Sequence, residues 1–180
     1  MKKKLAVAVV LILTVFLLTG CYSTQTTFDI NKEGNANIEF MVQADETMAG
    51  DEVSVAMWGL INSFPELKEN YDITQQRKTI DYSDYLIYKF ESKGNYNINS
   101  IEGIEFTEND NVYNFKMEIP PLVSDFSEDN KDDVMFIIKV NLPKDIDMAN
   151  SSNYKENKVT WKITREQLAD GLTLKAFTIE

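Results

Sequence analysis

The sequence predicts an α+β fold: a curved antiparallel β-sheet of about seven to nine strands with one amphipathic helix packed on it. A β-sandwich or an open barrel is the alternative. Runs of alternating apolar and polar residues recur after the first 21 residues, as half-buried strands require. The segment Val53 to Phe64 changes to a helical period. Val134 to Ile138 is apolar throughout, which favours a central strand covered on both faces.

The N-terminus has the layout of an export signal. Lys2 to Lys4 form a positive segment, and the apolar run from Leu5 to Leu18 is shorter than the roughly 20 residues of a membrane span. The four residues that follow the pattern of a bacterial lipoprotein lipobox, Leu-small-small-Cys, are Leu18, Thr19, Gly20 and Cys21.

This lipobox resemblance implies cleavage before Cys21 and attachment of a diacylglyceryl group to its thiol. We therefore expect a signal peptide over residues 1–20 and a single extracytoplasmic domain over residues 21–180. Two acyl chains contribute on the order of 20 kcal/mol to anchoring, at about 0.8 kcal/mol per buried methylene. The predicted location is the outer face of the cell membrane.

Composition excludes several classes of function. The chain has 18 Lys plus Arg against 29 Asp plus Glu, a net charge of −11, and loss of Lys2 to Lys4 lowers it to about −14. We therefore expect no nucleic-acid partner. The sequence contains no histidine, so a Ser-His-Asp triad and a His-containing zinc site are excluded. We expect a protein without enzyme activity, metal or cofactor.

A β-hairpin is predicted at the start of the exported domain. Tyr22 to Ile30 and Asn35 to Ala44 alternate with period two around Asn31-Lys32-Glu33-Gly34. Gly34 suits the positive φ that such a loop needs near its end.

The helix predicted over Val53 to Phe64 is amphipathic, and Pro65 should end it. Trp58 lies off the apolar stripe, where it either rests against a neighbouring loop or contacts lipid or a partner. A polar stretch follows from Glu66 to Gln76. Further strands are expected near Gln75 to Ile80, Tyr85 to Glu91, Ile104 to Thr107, Val112 to Ile119, Val134 to Leu142, Val159 to Ile163 and Leu172 to Ile179.

Two connections carry specific signals. Asn109-Asp110-Asn111 predicts the turn of a second hairpin. Thr164 to Gln167 has the form of a capping box, and Gly171 suits the C-terminal cap of one helical turn. The long loops Ser124 to Asp133 and Lys144 to Asn157 are expected to be mobile.

The acidic loop Asp125 to Asp133 fails the EF-hand pattern, because Asn130 stands where glycine is required and Phe136 where glutamate is required. A solvated loop is the favoured interpretation, with loose calcium binding as the alternative. A glycosidase with two carboxylates has no more support than the abundance of Asp and Glu.

Short pieces of the sequence resemble a known family. The lipobox is followed by Phe28-Asp29-Ile30-Asn31-Lys32-Glu33-Gly34-Asn35-Ala36, and the chain ends in Lys158-Val159-Thr160-Trp161 and a last strand. This arrangement resembles the LppM-type lipoprotein domain of Gram-positive bacteria. The resemblance implies an antiparallel sheet with one helix and, for some members, envelope glycolipid binding. It implies no catalytic residues, and the C-terminal membrane span of many members has no counterpart here.

The predicted function is a membrane-anchored envelope binding module that holds lipid or glycolipid between helix and sheet. The alternative is a structural or adaptor lipoprotein that docks another envelope protein. The residues predicted to line a ligand cavity are Phe40, Met57, Leu60, Phe115 and Trp161.

Overall fold

The computed structural model describes residues 22–45, 54–55, 57–59, 61–63, 65–80, 82–122 and 131–180. The predictions for the export signal, for Leu18, Thr19, Gly20 and Cys21, and for Leu60 lie outside the described residues. Residues 125–130 of the acidic loop lie outside them as well, so the calcium alternative stays a prediction.

The described chain is mostly β-strand with short helices. The strands are β1 (Tyr22–Ile30), β2 (Asn35–Asp45), β3 (Tyr71–Ile80), β4 (Ser83–Ser92), β5 (Tyr96–Asn97), β6 (Ile104–Asn109), β7 (Val112–Ile119), β8 (Val134–Asn141), β9 (Ile146–Ala149), β10 (Tyr154–Lys155), β11 (Lys158–Thr164) and β12 (Leu172–Thr178). The helices are α1 (Pro65–Asn70), a 3₁₀ turn (Ile98–Ser100) and α2 (Arg165–Asp170).

The strands form two sheets. An eight-stranded sheet has the order β10-β11-β8-β1-β2-β4-β3, with β5 paired to β2. A four-stranded sheet has the order β6-β7-β12-β9. The predicted α+β class with a curved sheet is confirmed. β8 lies between β11 and β1, which agrees with the interior position predicted from its apolar run.

By contacts the chain divides into two compact units. Unit 1 comprises Met1–Gln25 and Glu39–Gly94, and unit 2 comprises Thr26–Ile38 and Asn95–Glu180. Strands β1 and β2 each contribute residues to both units. The expectation of a single domain over residues 21–180 stays a prediction.

The core of unit 1 joins the predicted helix to strands β2 and β4. The described residues between 54 and 63 are helical, and Met57 and Ile61 from this segment are fully buried. They belong to one cluster with Phe40 and Phe90, whose rings lie 5.8 Å apart. The helical period predicted for this segment therefore reflects a packed apolar face.

The predictions after this helix need correction. Pro65 begins α1, a position at which proline is favoured because its missing N–H would have no helical partner. Strand β3 then begins at Tyr71, earlier than predicted. Most of its residues are exposed, so the strand lacks the apolar alternation by which its start could be recognised.

Unit 2 contains both predicted hairpin turns. In the first, Asn31 Oδ1 accepts hydrogen bonds from the backbone N–H groups of Glu33 and Asn35, and Gly34 has a φ of 73°. In the second, Asp110 and Asn111 have φ values of 51° and 66°. Positive φ at both central residues is the geometry of a tight hairpin turn that matches strand twist. Both turn predictions are confirmed.

The capping box predicted before the last strand is present. Thr164 Oγ1 accepts a hydrogen bond from the backbone N–H of Gln167, and Gln167 Oε1 accepts one from the N–H of Thr164, at 3.4 Å and 3.0 Å. Gly171 caps α2 with a φ of 75°. The short linking helix is therefore encoded locally, by satisfied backbone donors at one end and glycine at the other.

The loop predicted over Lys144 to Asn157 is instead partly β-structure. It contains β9, which pairs with β12, and β10, which pairs with β11. These strands have four and two residues. β10 is too short to show alternation, which needs at least four residues, and the burial of β9 does not alternate along its four residues.

Candidate functional site

A groove crosses the outer face of the four-stranded sheet in unit 2. Its side chains come from β6, β7 and β12, where alternate residues face the core and solvent. Phe106, Phe115 and Leu174 are at most 5 % exposed on the inner side. Their polar neighbours along each strand consequently lie on the outer side.

Strand register brings these outward residues into two rows. Lys116 lies between Glu105 and Lys175 as the direct cross-strand partner of both. In the next row, Asn114 pairs with Thr107 on one side and with Phe177 on the other. Direct partners in an antiparallel pair have Cβ atoms about 5 Å apart. The rows therefore place two ammonium groups, the carboxylate of Glu105, and amide, hydroxyl and aromatic groups within one small surface.

The groove has a cavity volume of about 220 Å³. Its lining combines charged and neutral polar groups with one half-buried aromatic ring. The lining residues are Glu105, Thr107, Asn114, Phe115, Lys116, Lys175 and Phe177. Phe115 is 1 % exposed, with its ring on the inner side of the sheet, and it borders the groove between Asn114 and Lys116.

Lys116 forms an ion pair at the edge of the groove. Its Nζ lies 2.5 Å from Oε1 of Glu118. This hydrogen bond raises the pKa of Lys116, with smaller contributions from the charges of Glu118 and Glu105. The same contact lowers the pKa of Glu118, and the charge of Lys175 adds to that effect. Both groups therefore remain charged through the neutral range.

Lys175 is the second cation of the groove. Within the part of the chain that the structure describes, its ammonium group forms no ion pair. It lies directly opposite Lys116, and like charges at such positions destabilise a strand pair. The carboxylates of Glu105 and Glu118 offset this repulsion in part, and local conflicts of this kind are expected at functional sites.

The arrangement suits an anionic ligand that also carries hydroxyl groups. Lys175 can bind a phosphate or carboxylate through a charge-assisted hydrogen bond, and Lys116 can add a second one beside its ion pair with Glu118. Asn114 and Thr107 can exchange hydrogen bonds with hydroxyls, and Phe177 offers an apolar face to a ring or chain. Glu118 does not fit the general acid of a glycosidase, which requires a raised pKa.

The predicted cavity residues fall into two sets. Phe40 and Met57 belong to the buried cluster of unit 1 and are 6 % and 0 % exposed. Phe115 and Trp161 belong to unit 2, where their rings lie 6.1 Å apart. Leu60 lies outside the described residues. Phe115 alone among the described members borders the groove, and the ligand cavity stays a prediction.

The groove cations were missed from the sequence. The inward face of β7, which includes Phe115, was recognised, and its outward counterpart of Asn114, Lys116 and Glu118 was available in the same alternation. What could not be recognised is the pairing of Lys116 with Lys175, because register between distant strands is a property of the fold.

The described residues lack two other features of functional sites. None of the helices there is long and apolar enough to cross a membrane. Among the same residues, no group of three or more Cys, Asp or Glu side chains is placed to hold a metal ion.

No protein-family model matches this chain, and no curated protein matches it. Among solved structures, it is similar to the NMR structure of the folded domain of the Mycobacterium tuberculosis LppM protein. That comparison covers 88 % of this chain and 89 % of the other, with 14 % sequence identity and a TM-score of 0.47. This similar structure belongs to the group of proteins that the sequence resembles, and the similarity says nothing about ligand or activity.

Proposed function

We propose that this chain is a non-enzymatic, lipid-anchored binding module of the cell envelope. Its binding surface is the groove on the four-stranded sheet, and its ligand is an anionic, hydroxyl-rich group of the envelope, such as a phosphate- or carboxylate-bearing saccharide. The observation that carries the proposal is the direct cross-strand pairing of Lys116 and Lys175 beside Phe177.

The location follows from the lipobox. Leu18, Thr19 and Gly20 precede Cys21, the single cysteine of the sequence. A diacylglyceryl group on that cysteine would hold the domain on the outer membrane face, among saccharide and phosphate polymers.

Charge supports the ligand class. The mature chain is strongly acidic, so an anion would be repelled from most of its surface. The groove supplies two lysines within one cross-strand pair. Lys116 is paired with Glu118, whereas Lys175 forms no ion pair among the described residues and acts on Glu118 only through its charge. A headgroup is therefore a better ligand for this surface than an acyl chain, which needs an apolar cavity.

Calorimetry on the mature, lipidated chain in phosphatidylcholine nanodiscs tests the proposal. The probes are poly(glycerol phosphate), an oligouronate and a neutral oligosaccharide. We expect binding of one or both anionic probes and none of the neutral probe. The substitution Lys175→Gln should weaken binding about tenfold to a hundredfold, the magnitude of one charge-assisted hydrogen bond.

Lys162→Gln is the matched control, because Lys162 is an exposed lysine of β11 outside the groove. Equal weakening by both substitutions would reduce the effect to net charge, and an absence of binding to either anion would refute the anionic ligand. Retention of an acyl lipid in native mass spectrometry, lost in Met57→Asp, would instead support the predicted cavity.

A second candidate function is docking of an envelope protein, and exposed apolar side chains in unit 2 favour it. Met148 is 58 % exposed and pairs with the half-buried Phe177, and Tyr154 is 41 % exposed. A photo-crosslinking amino acid at position 148, in intact cells, should then capture one defined protein. Capture at the exposed position 55 to the same extent would mark that contact as nonspecific.

A further inference from the structure

Strand β1 begins at Tyr22, immediately after Cys21. Adjacent Cα atoms are about 3.8 Å apart, so no spacer separates the proposed lipid anchor from the sheet. The end of unit 1 at which β1 begins must therefore lie at the membrane surface. This inference rests on the proposed anchor.

Strand pairing shows which loop shares that end. β1 and β2 form a hairpin closed by a hydrogen bond from the N–H of Asn31 to the carbonyl of Asn35, so counting back places Tyr22 opposite Ala44. Ala44 pairs with Leu86, and Leu86 pairs with Arg77. These four residues form one level across unit 1.

The β3–β4 hairpin continues beyond this level. Its last pair is Ile80 with Ser83, three residues further along than Arg77. At about 3.3 Å per residue, its tip projects about 10 Å past Tyr22, and it is displaced sideways by about 10–15 Å. The tip therefore reaches the bilayer surface before most of unit 1 can.

The chemistry of the tip suits that surface. Tyr82 is 103 % exposed, so its ring rests against nothing in the described chain. Its φ of 70° is uncommon for a bulky residue, and strained backbone of this kind clusters at functional positions. Below it, Arg77 and Lys78 are exposed. Exposed aromatic rings and long cationic side chains are both found at membrane–water interfaces, and the nearby carboxylate of Asp84 accepts a hydrogen bond from Thr79.

The hairpin is held rigidly below its tip. Thr79 Oγ1 donates a hydrogen bond to Asp84 Oδ1 at 2.6 Å, across the pair adjacent to Ile80 and Ser83. The register of β3 and β4 is unbroken from Tyr71 to Ile80. Contact of the tip with lipid would therefore constrain the orientation of both strands.

We propose that the β3–β4 tip, with Tyr82 at its apex, docks into the interface of the same bilayer that holds the acyl chains of Cys21. The acyl chains and the tip then form two separated contacts. Two contacts fix the orientation of unit 1, whereas a single lipid anchor would leave it free to rotate.

The test uses the lipidated chain in vesicles of phosphatidylglycerol and phosphatidylcholine. Cys21 is the only cysteine and its thiol would be acylated, so Tyr82→Cys introduces the one free thiol for a nitroxide spin label. We expect that label to be accessible to oxygen and shielded from a water-soluble nickel complex. Gly94→Cys is the control, because Gly94 lies beyond the opposite end of β4 and has open space around it.

Equal accessibility of the two labels to the nickel complex, in chains that float with the vesicles, would overturn the tip contact and leave the anchor intact. Chains that fail to float would overturn the anchor, and the tip contact with it. A second variant adds Lys78→Gln to the labelled chain. We expect this substitution to raise the accessibility of the label at position 82 to the nickel complex, and to raise it more in vesicles with phosphatidylglycerol than in phosphatidylcholine alone. An unchanged accessibility would remove Lys78 from the contact.

Discussion

The side-chain oxygen of Asn150 accepts a hydrogen bond from the indole N–H of Trp161, at 3.0 Å. The same oxygen accepts the backbone N–H of Lys175, at 2.8 Å, and its amide nitrogen donates to the carbonyl of Thr173. Trp161 belongs to the eight-stranded sheet and Lys175 to the four-stranded sheet. One asparagine thus links β11 to β12 within unit 2.

Asn150→Ala should destabilise the fold by about 1–3 kcal/mol, because it leaves the N–H of the buried Trp161 without a partner. Urea unfolding followed by tryptophan fluorescence measures this loss. Asn153→Ala is the control, since Asn153 is exposed three residues away. Equal effects of the two substitutions would show that the network contributes nothing.

Gly171→Ala should also destabilise the fold. An added Cβ would lie 2.9 Å from Cδ of Pro121 and 3.0 Å from the carbonyl oxygen of Ile119, at a φ of 75°. Backbone strain and close contact together should lower the free energy of unfolding by more than about 1 kcal/mol, which thermal unfolding measures. At Gly94 an added Cβ meets nothing within 4 Å, so Gly94→Ala should have little effect. A neutral Gly171→Ala would show that the α2–β12 connection relaxes easily.

The burial of Tyr88 should make the free energy of unfolding depend on pH in the alkaline range. Burial raises the pKa of its phenol, and the hydrogen bond to Ser54 opposes this effect only in part. The unfolded chain therefore releases this proton first, at a pH of about 10. Between that pH and the higher pKa of the folded state, the free energy of unfolding should fall as pH rises.

Tyr88→Phe removes the titrating phenol, so its free energy of unfolding should fall less steeply than that of the native chain above a pH of about 10. Urea unfolding at a series of alkaline pH values measures both slopes. Parallel slopes would contradict the assignment. The comparison is made between slopes, because the substitution also removes the hydrogen bond to Ser54.

The strain at Tyr82 should be measurable. Asparagine tolerates positive φ better than tyrosine, so Tyr82→Asn should stabilise the chain by about 0.5–1 kcal/mol. The reverse substitution Asn111→Tyr, at a φ of 66°, should destabilise it by a similar amount. Thermal unfolding of both variants measures these changes. A loss of stability in Tyr82→Asn would show that the exposed ring contributes to the stability of the fold.

Local signals predicted the elements that they encode. The turn around Asn31, the turn at Asp110 and Asn111, and the cap at Thr164 each depend on residues within a few positions of one another. Met57 was placed on the buried face of a helix by period alone. These features are specified by backbone geometry and short-range hydrogen bonds, which act independently of the rest of the fold.

Features that depend on distant partners could not be predicted. The four-stranded sheet requires β9, which has no periodicity of its own, and the groove requires the register of β7 against β12. Trp58 shows the same limit: its indole N–H donates to Gln75 of β3, a strand whose start the polar sequence concealed. Tertiary pairing supplied the information that these segments lack.

Among the described residues, β3 is the edge strand of the eight-stranded sheet, and all ten of its residues pair with β4. Such edges invite pairing with a second molecule, which for identical chains in solution is most readily antiparallel. Under the proposed anchor at Cys21, two molecules in one membrane are related by rotation about the membrane normal. If β3 is parallel to that normal, the β3 strands of two copies run in the same direction. The lipid anchor would then disfavour antiparallel pairing between the β3 strands of neighbouring molecules, and with it their assembly into fibrils.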